Sequence, residues 1–370
     1  MLTGRATEKG TQRYITRMAN TVPSEHYRAF PGLGRLSPLG LGTYLGAEDA
    51  ATDSLYRRAA GRALDRGFNV IDIAINYRQQ RSERTVGAAL AELVGRGAVS
   101  RDEVVVATKG GYIPLDADAG LDPRSYVTQT YLKTGIIQPD DIAGGVHCMT
   151  PRYLHDQIGR SRANLGLETL DVYYLHNPET QLQDVPRAQF LQRLREAFTA
   201  LEQAVGDGTI GCYGTATWNG YRQPPDSPDY LSLEETVQAA RDVAGSDHHF
   251  KVVQLPYNLA MPEAFTRANQ RVGKDTVTLL EATRRLDVYV MASASVYQGQ
   301  LTRNLPEVVA QYVPGFSADA QRALQFVRST PGIGTALVGM KSVAHVEENA
   351  AVVAMPPMAW EHFRRMFSEA

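Results

Sequence analysis

Short apolar runs alternate with longer amphipathic segments along most of this chain. Each run is nearly all apolar and rich in β-branched residues, as is typical of parallel strands buried on both faces. The predicted strands are Leu39–Thr43, Asn69–Ile73, Glu103–Thr108, Asp171–Leu175, Ile210–Gly214, Lys251–Leu255, Asp287–Ala292 and Thr335–Gly339. The predicted helices are Asp53–Arg66, Glu83–Val94, Pro151–Leu165, Arg187–Val205, Leu233–Val243, Thr276–Arg285, Asp319–Ser329 and Val343–Val353.

Eight strand–helix units in succession predict a single (β/α)8 barrel, of the TIM-barrel class, over residues 31–370. A doubly wound open sheet is the alternative, but no G-x-G-x-x-G motif follows any predicted strand. Residues 1–30 are polar and aperiodic, and they predict an N-terminal arm that either wraps the barrel or is loose.

Three connections are much longer than the others: residues 110–150, 215–230 and 293–318. Each follows a predicted strand, so all three belong to the same end of a barrel. Loops at that end build the active sites of barrel enzymes. The sequence therefore predicts a site at the carboxyl end, with specificity carried by the long loops.

Four polar residues stand at the ends of consecutive apolar strands. Asp72 and Tyr77 belong to the second unit, Lys109 ends the third strand and His176 follows the fourth. Alone, an Asp, a Lys, a His or a Tyr at such a place is more often a capping, solvated or packing residue. Because the three strands are neighbours in a barrel, we expect the four side chains to share one cavity.

Carbonyl reduction is the chemistry that suits these four side chains. A phenol is a weak acid, and we expect the Lys109 ammonium to lower the pKa of Tyr77 so that it can give a proton to the carbonyl oxygen. Asp72 would hold Lys109, and a neutral His176 would orient the carbonyl. The protein supplies no hydride, so a nicotinamide cofactor is implied.

Composition excludes several other classes of protein. The 370 residues are 43% hydrophobic, and their formal charge of −2 provides no field for nucleic acid or an anionic membrane. No apolar run is long enough to span a membrane, and the first residues lack a secretory signal. Cys148 and Cys212 are too few for a disulfide framework, which favours a reducing, cytoplasmic location. The histidines lack the H-x-H spacing of a metal-dependent hydrolase, so we expect no metal site.

From about Tyr27 to Val353 the chain resembles the aldo-keto reductase superfamily. The family's Asp, Tyr, Lys and His tetrad falls on Asp72, Tyr77, Lys109 and His176. Further family-like strings are GLGTY, ATKGG, YYLHNP and GMKSVAHVEEN, and a bacterial-type subgroup shares INYR, HNPE, ATWNG and QLPYNLAM. The resemblance implies reduction of an aldehyde or ketone to an alcohol, with Tyr77 as general acid.

The resemblance also implies which positions hold the cofactor. They are Gly42, Thr43, Tyr44, Thr217, Asn219, Gln254, Ser293, Gly299, Leu301, Gly339, Met340, Lys341, Ser342, His345, Glu348 and Asn349. Either Thr217 or Asn219 would take the carboxamide. Ala294 stands where the family has a proline, so the loop there is expected to follow another path. Lys341 favours NADPH over NADH, although His345 replaces a residue that is often basic.

Aromatic residues in the long loops suit a sizeable, partly apolar carbonyl substrate. They are Tyr112, Tyr126, Tyr131, Trp218, Tyr221, Tyr297 and Phe316. The alternative function is a redox-sensing or regulatory subunit that binds the cofactor and turns over slowly, since an intact tetrad is compatible with both. The sequence is also compatible with either a monomer or a homo-oligomer.

Overall fold

Strands and helices alternate along the chain in the computed structural model, which describes residues 1–368. The strands are β1 Arg28–Phe30, β2 Gly34–Leu36, β3 Leu39–Gly42, β4 Val70–Asp72, β5 Val105–Gly110, β6 Leu170–His176, β7 Ile210–Ala216, β8 Phe250–Pro256, β9 Ala268–Val272, β10 Asp275–Thr278, β11 Tyr289–Ser293 and β12 Thr335–Gly339. The helices are α1 Glu8–Met18, α2 Ala50–Asp65, α3 Arg81–Gly95, α4 Pro123–Val127, α5 Pro151–Leu165, α6 Arg187–Gly206, α7 Leu233–Ala244, α8 Glu263–Thr266, α9 Leu279–Arg285, α10 Glu307–Tyr312, α11 Asp319–Ser329, α12 Val343–Ala354 and α13 Trp360–Ser368.

Eight of these strands close into a parallel barrel, in the order β11-β12-β3-β4-β5-β6-β7-β8. The cylinder closes where β12 pairs with β3, with Ala336 opposite Leu39. The strands are buried almost throughout, because side chains fill the interior and helices cover the outside. The predicted (β/α)8 fold is confirmed.

Local signals placed most helix ends correctly. Helix α5 has the predicted bounds because Pro151 suits its first turn and Gly166 adopts the left-handed conformation (φ 63°) at its end. The predicted helix Thr276–Arg285 is wrong at its start. Residues Asp275–Thr278 instead pair with Ala268–Val272 as a hairpin, and the helix begins at Leu279.

The N-terminal residues contain regular structure that their sequence pattern did not predict. Helix α1 is capped by Thr7, whose hydroxyl accepts from Gly10 N at 2.9 Å. Its buried face has only Tyr14 and Ile15 as large apolar residues, too few for a clear helical period. The Tyr14 hydroxyl donates to the Leu64 carbonyl at the end of α2, so this helix packs on the barrel. The boundary between the N-terminal arm and the barrel at residue 30 stays a prediction, and the β1–β2 hairpin spans that boundary.

This hairpin covers the amino end of the barrel. Its side chains Phe30, Leu33 and Leu36 join the same buried cluster as interior residues of the barrel strands. The Phe30 ring lies 4.7 Å from the ring of Tyr289 at the start of β11. The hairpin therefore closes the interior of the barrel at its amino end.

A buried carboxylate, Asp171, ties the strands that carry two of the predicted catalytic residues. It lies in β6, and its Oδ2 accepts from Val106 N of β5 at 2.8 Å and from the Arg101 guanidinium at 2.8 Å. Its Oδ1 accepts from Ala6 N in the N-terminal segment at 2.6 Å. One side chain thus fixes β5, β6 and the N-terminal segment together.

We expect Asp171→Asn to lower the free energy of unfolding by about 3–5 kcal/mol, because it leaves the buried Arg101 without its counter-ion. Urea denaturation followed by circular dichroism measures the change. The control is Glu92→Gln, whose partner Arg57 and whose own side chain are 49% and 58% exposed. The control should cost less than about 1 kcal/mol, and an equally small effect of Asp171→Asn would contradict this role.

Candidate active site

The carboxyl ends of β4, β5 and β6 bring three predicted catalytic residues together. Asp72 is the last residue of β4, Lys109 lies one residue before the end of β5, and His176 ends β6. These strands are neighbours in the barrel. Tyr77 lies in the turn that follows β4 and completes the set.

Lys109 and Asp72 form a buried ion pair on the floor of the site. The Lys109 ammonium, which is fully buried, donates to both carboxylate oxygens of Asp72, at 2.9 and 2.8 Å. It also donates to the Ile73 carbonyl at 2.7 Å. Gln254 Nε2 adds a further hydrogen bond to Asp72 Oδ1 at 2.7 Å. All three donors of the ammonium are therefore used, and its position is fixed.

Tyr77 lies directly above this pair. Lys109 Nζ is 4.7 Å from the centroid of the Tyr77 ring, over its face. The ring of Tyr44, after β3, approaches Tyr77 edge-on at 5.0 Å, and the His176 ring lies 6.1 Å away. The four predicted catalytic residues are thus one cluster in space.

The turn after Tyr77 is held in an unusual conformation. Arg78, Gln79 and Gln80 have φ angles of 50°, 49° and 73°, the left-handed region. For residues other than glycine this costs about 1–2 kcal/mol each. Side-chain contacts offset that cost: Arg78 donates to the Ala47 carbonyl at 2.8 Å and to the Asp53 carboxylate at 2.6 Å. The orientation of Tyr77 is therefore set by a tethered turn.

The surroundings keep Tyr77 protonated and His176 neutral. Desolvation raises the pKa of Tyr77 well above its usual value, and the Asp72 carboxylate acts in the same direction. Burial, with a smaller effect of Lys109, lowers the pKa of His176 well below its usual value. Burial also lowers the pKa of Lys109, against the opposing effect of Asp72. The expected lowering of the Tyr77 pKa by Lys109 is wrong here, because desolvation and, after it, Asp72, Tyr44 and Tyr112 all raise that pKa.

A second histidine supports His176 from behind. His147 Nε2 lies 2.7 Å from the His176 carbonyl oxygen, so this nitrogen donates. Gln181 Nε2 donates to His147 Nδ1 at 2.8 Å, and burial lowers the pKa of His147 to about 4. The Tyr112 ring meets both imidazoles edge-on, at 5.6 and 5.0 Å. Sequence reasoning missed this arrangement, since His147 lies in a long loop and only the fold brings it to His176.

A cavity of about 740 Å³ opens above the cluster. Asp72, Tyr77 and His176 line it, while Lys109 lies beneath them. The predicted cofactor residues that line it are Gly42, Thr43, Tyr44, Thr217, Gln254, Ser293, Gly299, Gly339, Lys341, His345, Glu348 and Asn349.

Four predicted cofactor residues lie outside this wall: Asn219, Leu301, Met340 and Ser342. The Asn219 amide donates to Asp229 Oδ2 at 2.9 Å. Met340 is fully buried. The Ser342 hydroxyl accepts from His345 N at 3.3 Å, as the cap of α12.

Other residues of the wall were not predicted. Asn76 and Asn177 line the cavity next to Tyr77 and His176. The buried Glu179 carboxylate accepts from the backbone N–H of Trp218 at 2.8 Å and fixes the loop after β7. Glu179 belongs to the HNPE string, but no local signal predicts this role for it, because its partner is distant in sequence.

Unsatisfied polar atoms fit the predicted nicotinamide cofactor. Thr217 Oγ1 and Asn349 Oδ1 are buried, line the cavity and have no hydrogen-bond partner. Lys341 is exposed at the end of β12, and within residues 1–368 it forms no hydrogen bond or ion pair. Thr217 could bind the nicotinamide carboxamide, Asn349 could bind the adenine, and Lys341 could bind a phosphate.

The loop after β11 adopts a backbone conformation that is incompatible with proline at position 294. Ala294 has a φ of 51°, whereas proline is restricted to about −65°. Proline therefore cannot replace Ala294 in this conformation. Tyr297 and Gln298 share the left-handed conformation, and Gly299 (φ 91°) follows them.

Only part of the predicted aromatic set reaches the cavity. Tyr112 and Trp218 line it. The others were predicted wrongly: Tyr126, Tyr131 and Tyr221 are buried in the packing, and Tyr297 and Phe316 are not part of the wall.

A larger hollow, of about 1240 Å³, lies at the amino end between α1, the β1–β2 hairpin and the start of β11. It contains none of the predicted site residues. No helix in residues 1–368 is both long enough and apolar enough to cross a membrane. Over the same residues, no three His, Cys, Asp or Glu side chains are grouped as a metal ion would need.

Solved structures share this fold. An aldo/keto reductase from Klebsiella pneumoniae, in complex with NADP and acetate, is 22% identical with a TM-score of 0.62, covering 93% of this chain and 95% of that one. A glycerol dehydrogenase from Gluconobacter oxydans is 19% identical with a TM-score of 0.65, covering 93% and 94%.

Sequence comparison gives one match over part of the chain and one over nearly all of it. A curated D-threo-aldose 1-dehydrogenase from a Pseudomonas species is 30% identical over 156 residues, which span 41% of this chain and only 40% of that relative. The model of the aldo/keto reductase family matches residues 38–367, nearly the whole barrel. The resemblance to this family at the level of the superfamily is confirmed, and the chain belongs to the aldo/keto reductase family.

Proposed function

We propose that this protein reduces an aldehyde or ketone to an alcohol with NADPH, and that Tyr77 is the proton donor. The observation that carries the proposal is the stacked arrangement of Tyr77 over the buried Lys109–Asp72 pair, beside His176 and inside a cavity. Membership of the family supports the same chemistry. The Klebsiella neighbour contains NADP, and the Pseudomonas relative is named as an aldose dehydrogenase.

The described residues divide the reaction between them. When bound, the reduced nicotinamide supplies the hydride to the carbonyl carbon. The Tyr77 hydroxyl gives its proton to the carbonyl oxygen, and its raised pKa ensures that the proton is present. The neutral His176 ring donates a hydrogen bond that orients that oxygen. Lys109, held by Asp72, stabilises the negative charge that develops on the phenol.

Two side chains at the end of β7 and in β8 suit the carboxamide of the nicotinamide. Thr217 lines the cavity, and its buried Oγ1 has no hydrogen-bond partner. Gln254 uses its amide nitrogen on Asp72, which leaves its oxygen for a ligand. Asn219 is engaged with Asp229, so Thr217 is the better partner of the two that the sequence left open.

The residues after β12 suit the other end of the cofactor. The unpaired Lys341 ammonium would bind the 2′-phosphate, with His345 as a second contact. Asn349, with its unsatisfied Oδ1, and Glu348 would meet the adenine. Both cysteines are free and buried, from which we infer a reducing compartment such as the cytoplasm.

We expect Tyr77→Phe to lower kcat for carbonyl reduction by about 10²–10⁴-fold, because general acid catalysis is lost. NADPH consumption measured at 340 nm reports the rate, and cofactor titration should show an unchanged Kd. The wild-type rate should not fall between about pH 6 and pH 9, since the raised pKa keeps the phenol protonated there. A near wild-type rate for Tyr77→Phe would remove this residue from the mechanism. Tight NADPH binding without turnover by the wild type would favour a sensor.

We expect Lys109→Met to lose about 3–5 kcal/mol of stability, because a buried carboxylate is left without its partner. The double variant Asp72→Asn, Lys109→Met should recover most of that stability and none of the activity. Chemical denaturation and NADPH consumption, measured on the same preparations, separate the two effects. Recovery of activity in the double variant would show that the lysine acts only through folding.

We expect Lys341→Ala to weaken NADPH binding by about 10- to 150-fold, the equivalent of a lost charge-assisted hydrogen bond of about 1.5–3 kcal/mol. NADH binding should hardly change, since NADH has no 2′-phosphate. Fluorescence titration of both cofactors tests this. Equal losses of affinity for NADPH and for NADH would show that Lys341 does not bind the 2′-phosphate.

A further inference from the structure

The part of the cavity around Tyr77 and His176 carries no uncompensated charge. Beside these two residues its wall consists of Tyr44, Leu45, Asn76, Tyr112, Asn177 and Trp218. The Asp72 carboxylate is neutralised by the Lys109 ammonium at 2.8 Å. The other charged residues of the cavity wall, Lys341 and Glu348, follow β12, which is diametrically opposite β6 in the barrel.

The cations nearest to this region in sequence are already paired. Arg222 donates to the Trp218 carbonyl at 3.1 Å, and its guanidinium pairs with Glu263 at 3.0 Å. Arg78, next to Tyr77, is buried and pairs with Asp53 at 2.6 Å. A carboxylate or phosphate on a substrate would therefore lose its hydration without gaining a counter-ion, which is unfavourable.

Large apolar side chains stand uncovered at the mouth of the same region. Tyr44 is 54% exposed, Leu45 40% and Trp218 38%. The backbone of Trp218 is held in place, because its amide N–H donates to the buried Glu179 and its carbonyl accepts from Arg222. Exposed aromatic side chains at a cavity mouth are suited to cover an apolar ligand.

We infer that the substrate is an uncharged carbonyl compound with an aromatic or similarly apolar body, and that anionic carbonyl compounds are selected against. The inference rests on the proposed reductase function and names the class of substrate for that site. The carbonyl group would reach Tyr77 and His176, and the apolar body would lie between Tyr44, Tyr112 and Trp218.

Two aldehydes that differ mainly in charge test this inference. Methyl 4-formylbenzoate and 4-formylbenzoate share the aromatic ring and the para carbonyl, but only the second carries a negative charge. With NADPH at pH 7, we expect kcat/KM for the carboxylate to be at least about tenfold lower than for the ester. Equal or higher kcat/KM for the carboxylate would overturn the inference and leave the reductase function standing.

Substitutions at the mouth locate the effect. Leu45→Arg should reduce the ratio of kcat/KM for the ester to kcat/KM for the carboxylate, because it adds a positive charge beside the substrate. The uncharged control Leu45→Gln should leave this ratio unchanged. Trp218→Ala should lower kcat/KM for the ester several-fold more than for propanal. The matched control is Trp360→Ala, since Trp360 is the other tryptophan, is 48% exposed and lies outside the cavity wall. Equal effects of Trp218→Ala and Trp360→Ala would contradict the placing of the substrate.

A binding measurement decides the inference even without turnover. In a Trp360→Phe variant loaded with NADP⁺, Trp218 is the sole tryptophan, and its fluorescence reports binding of either aldehyde. The ester should bind at least about tenfold more tightly than the carboxylate. If the enzyme oxidises NADPH with neither aldehyde, the proposed reductase function fails for that substrate class. Equal affinity for the two aldehydes would overturn the inference that anionic carbonyl compounds are selected against.

Discussion

The buried ion pair between Lys109 and Asp72 is the interaction on which the site depends. A fully buried ammonium is unfavourable unless its charge is balanced and its donors are satisfied, and Asp72 with the Ile73 carbonyl does both. The pair joins β5 to β4 at their carboxyl ends, and it forms the surface on which the Tyr77 ring rests. After burial, the Lys109 ammonium also lowers the pKa of His176 and so contributes to keeping it neutral. The Lys109–Asp72 ion pair thus both connects β4 to β5 and influences the protonation state of His176.

Polar contacts hold the loops above this pair in defined positions. Arg78 fixes the left-handed turn after Tyr77, and Glu179 fixes the backbone at Trp218. His147 fixes the chain at the His176 carbonyl. These contacts come from side chains that take no direct part in the proposed chemistry. They allow the long loops at the end of the barrel to carry a site of constant shape, as the positioning of reacting groups requires.

The two parts of the cavity differ in electrostatic character, and this difference organises the proposed function. Beside β12 the cavity presents the unpaired Lys341 and the unsatisfied Asn349, which suit a charged, polar cofactor. Beside β6 it presents aromatic rings and amides around a neutralised floor, which suit an uncharged substrate. The same cavity can therefore bind two ligands of different charge without either taking the other's place.

The sequence by itself determined the eight strand–helix units and the barrel, and it placed Asp72, Tyr77, Lys109 and His176 at or just after the ends of neighbouring strands, because strand patterns and strand-end residues are local features. It missed α1, the β9–β10 hairpin, Glu179 and the support of His176 by His147. Those depend on contacts between residues far apart in the chain, for which no short pattern exists. Only the tertiary structure decided the direction of the Tyr77 pKa, since desolvation of the phenol depends on all the residues packed around it and not on any one segment.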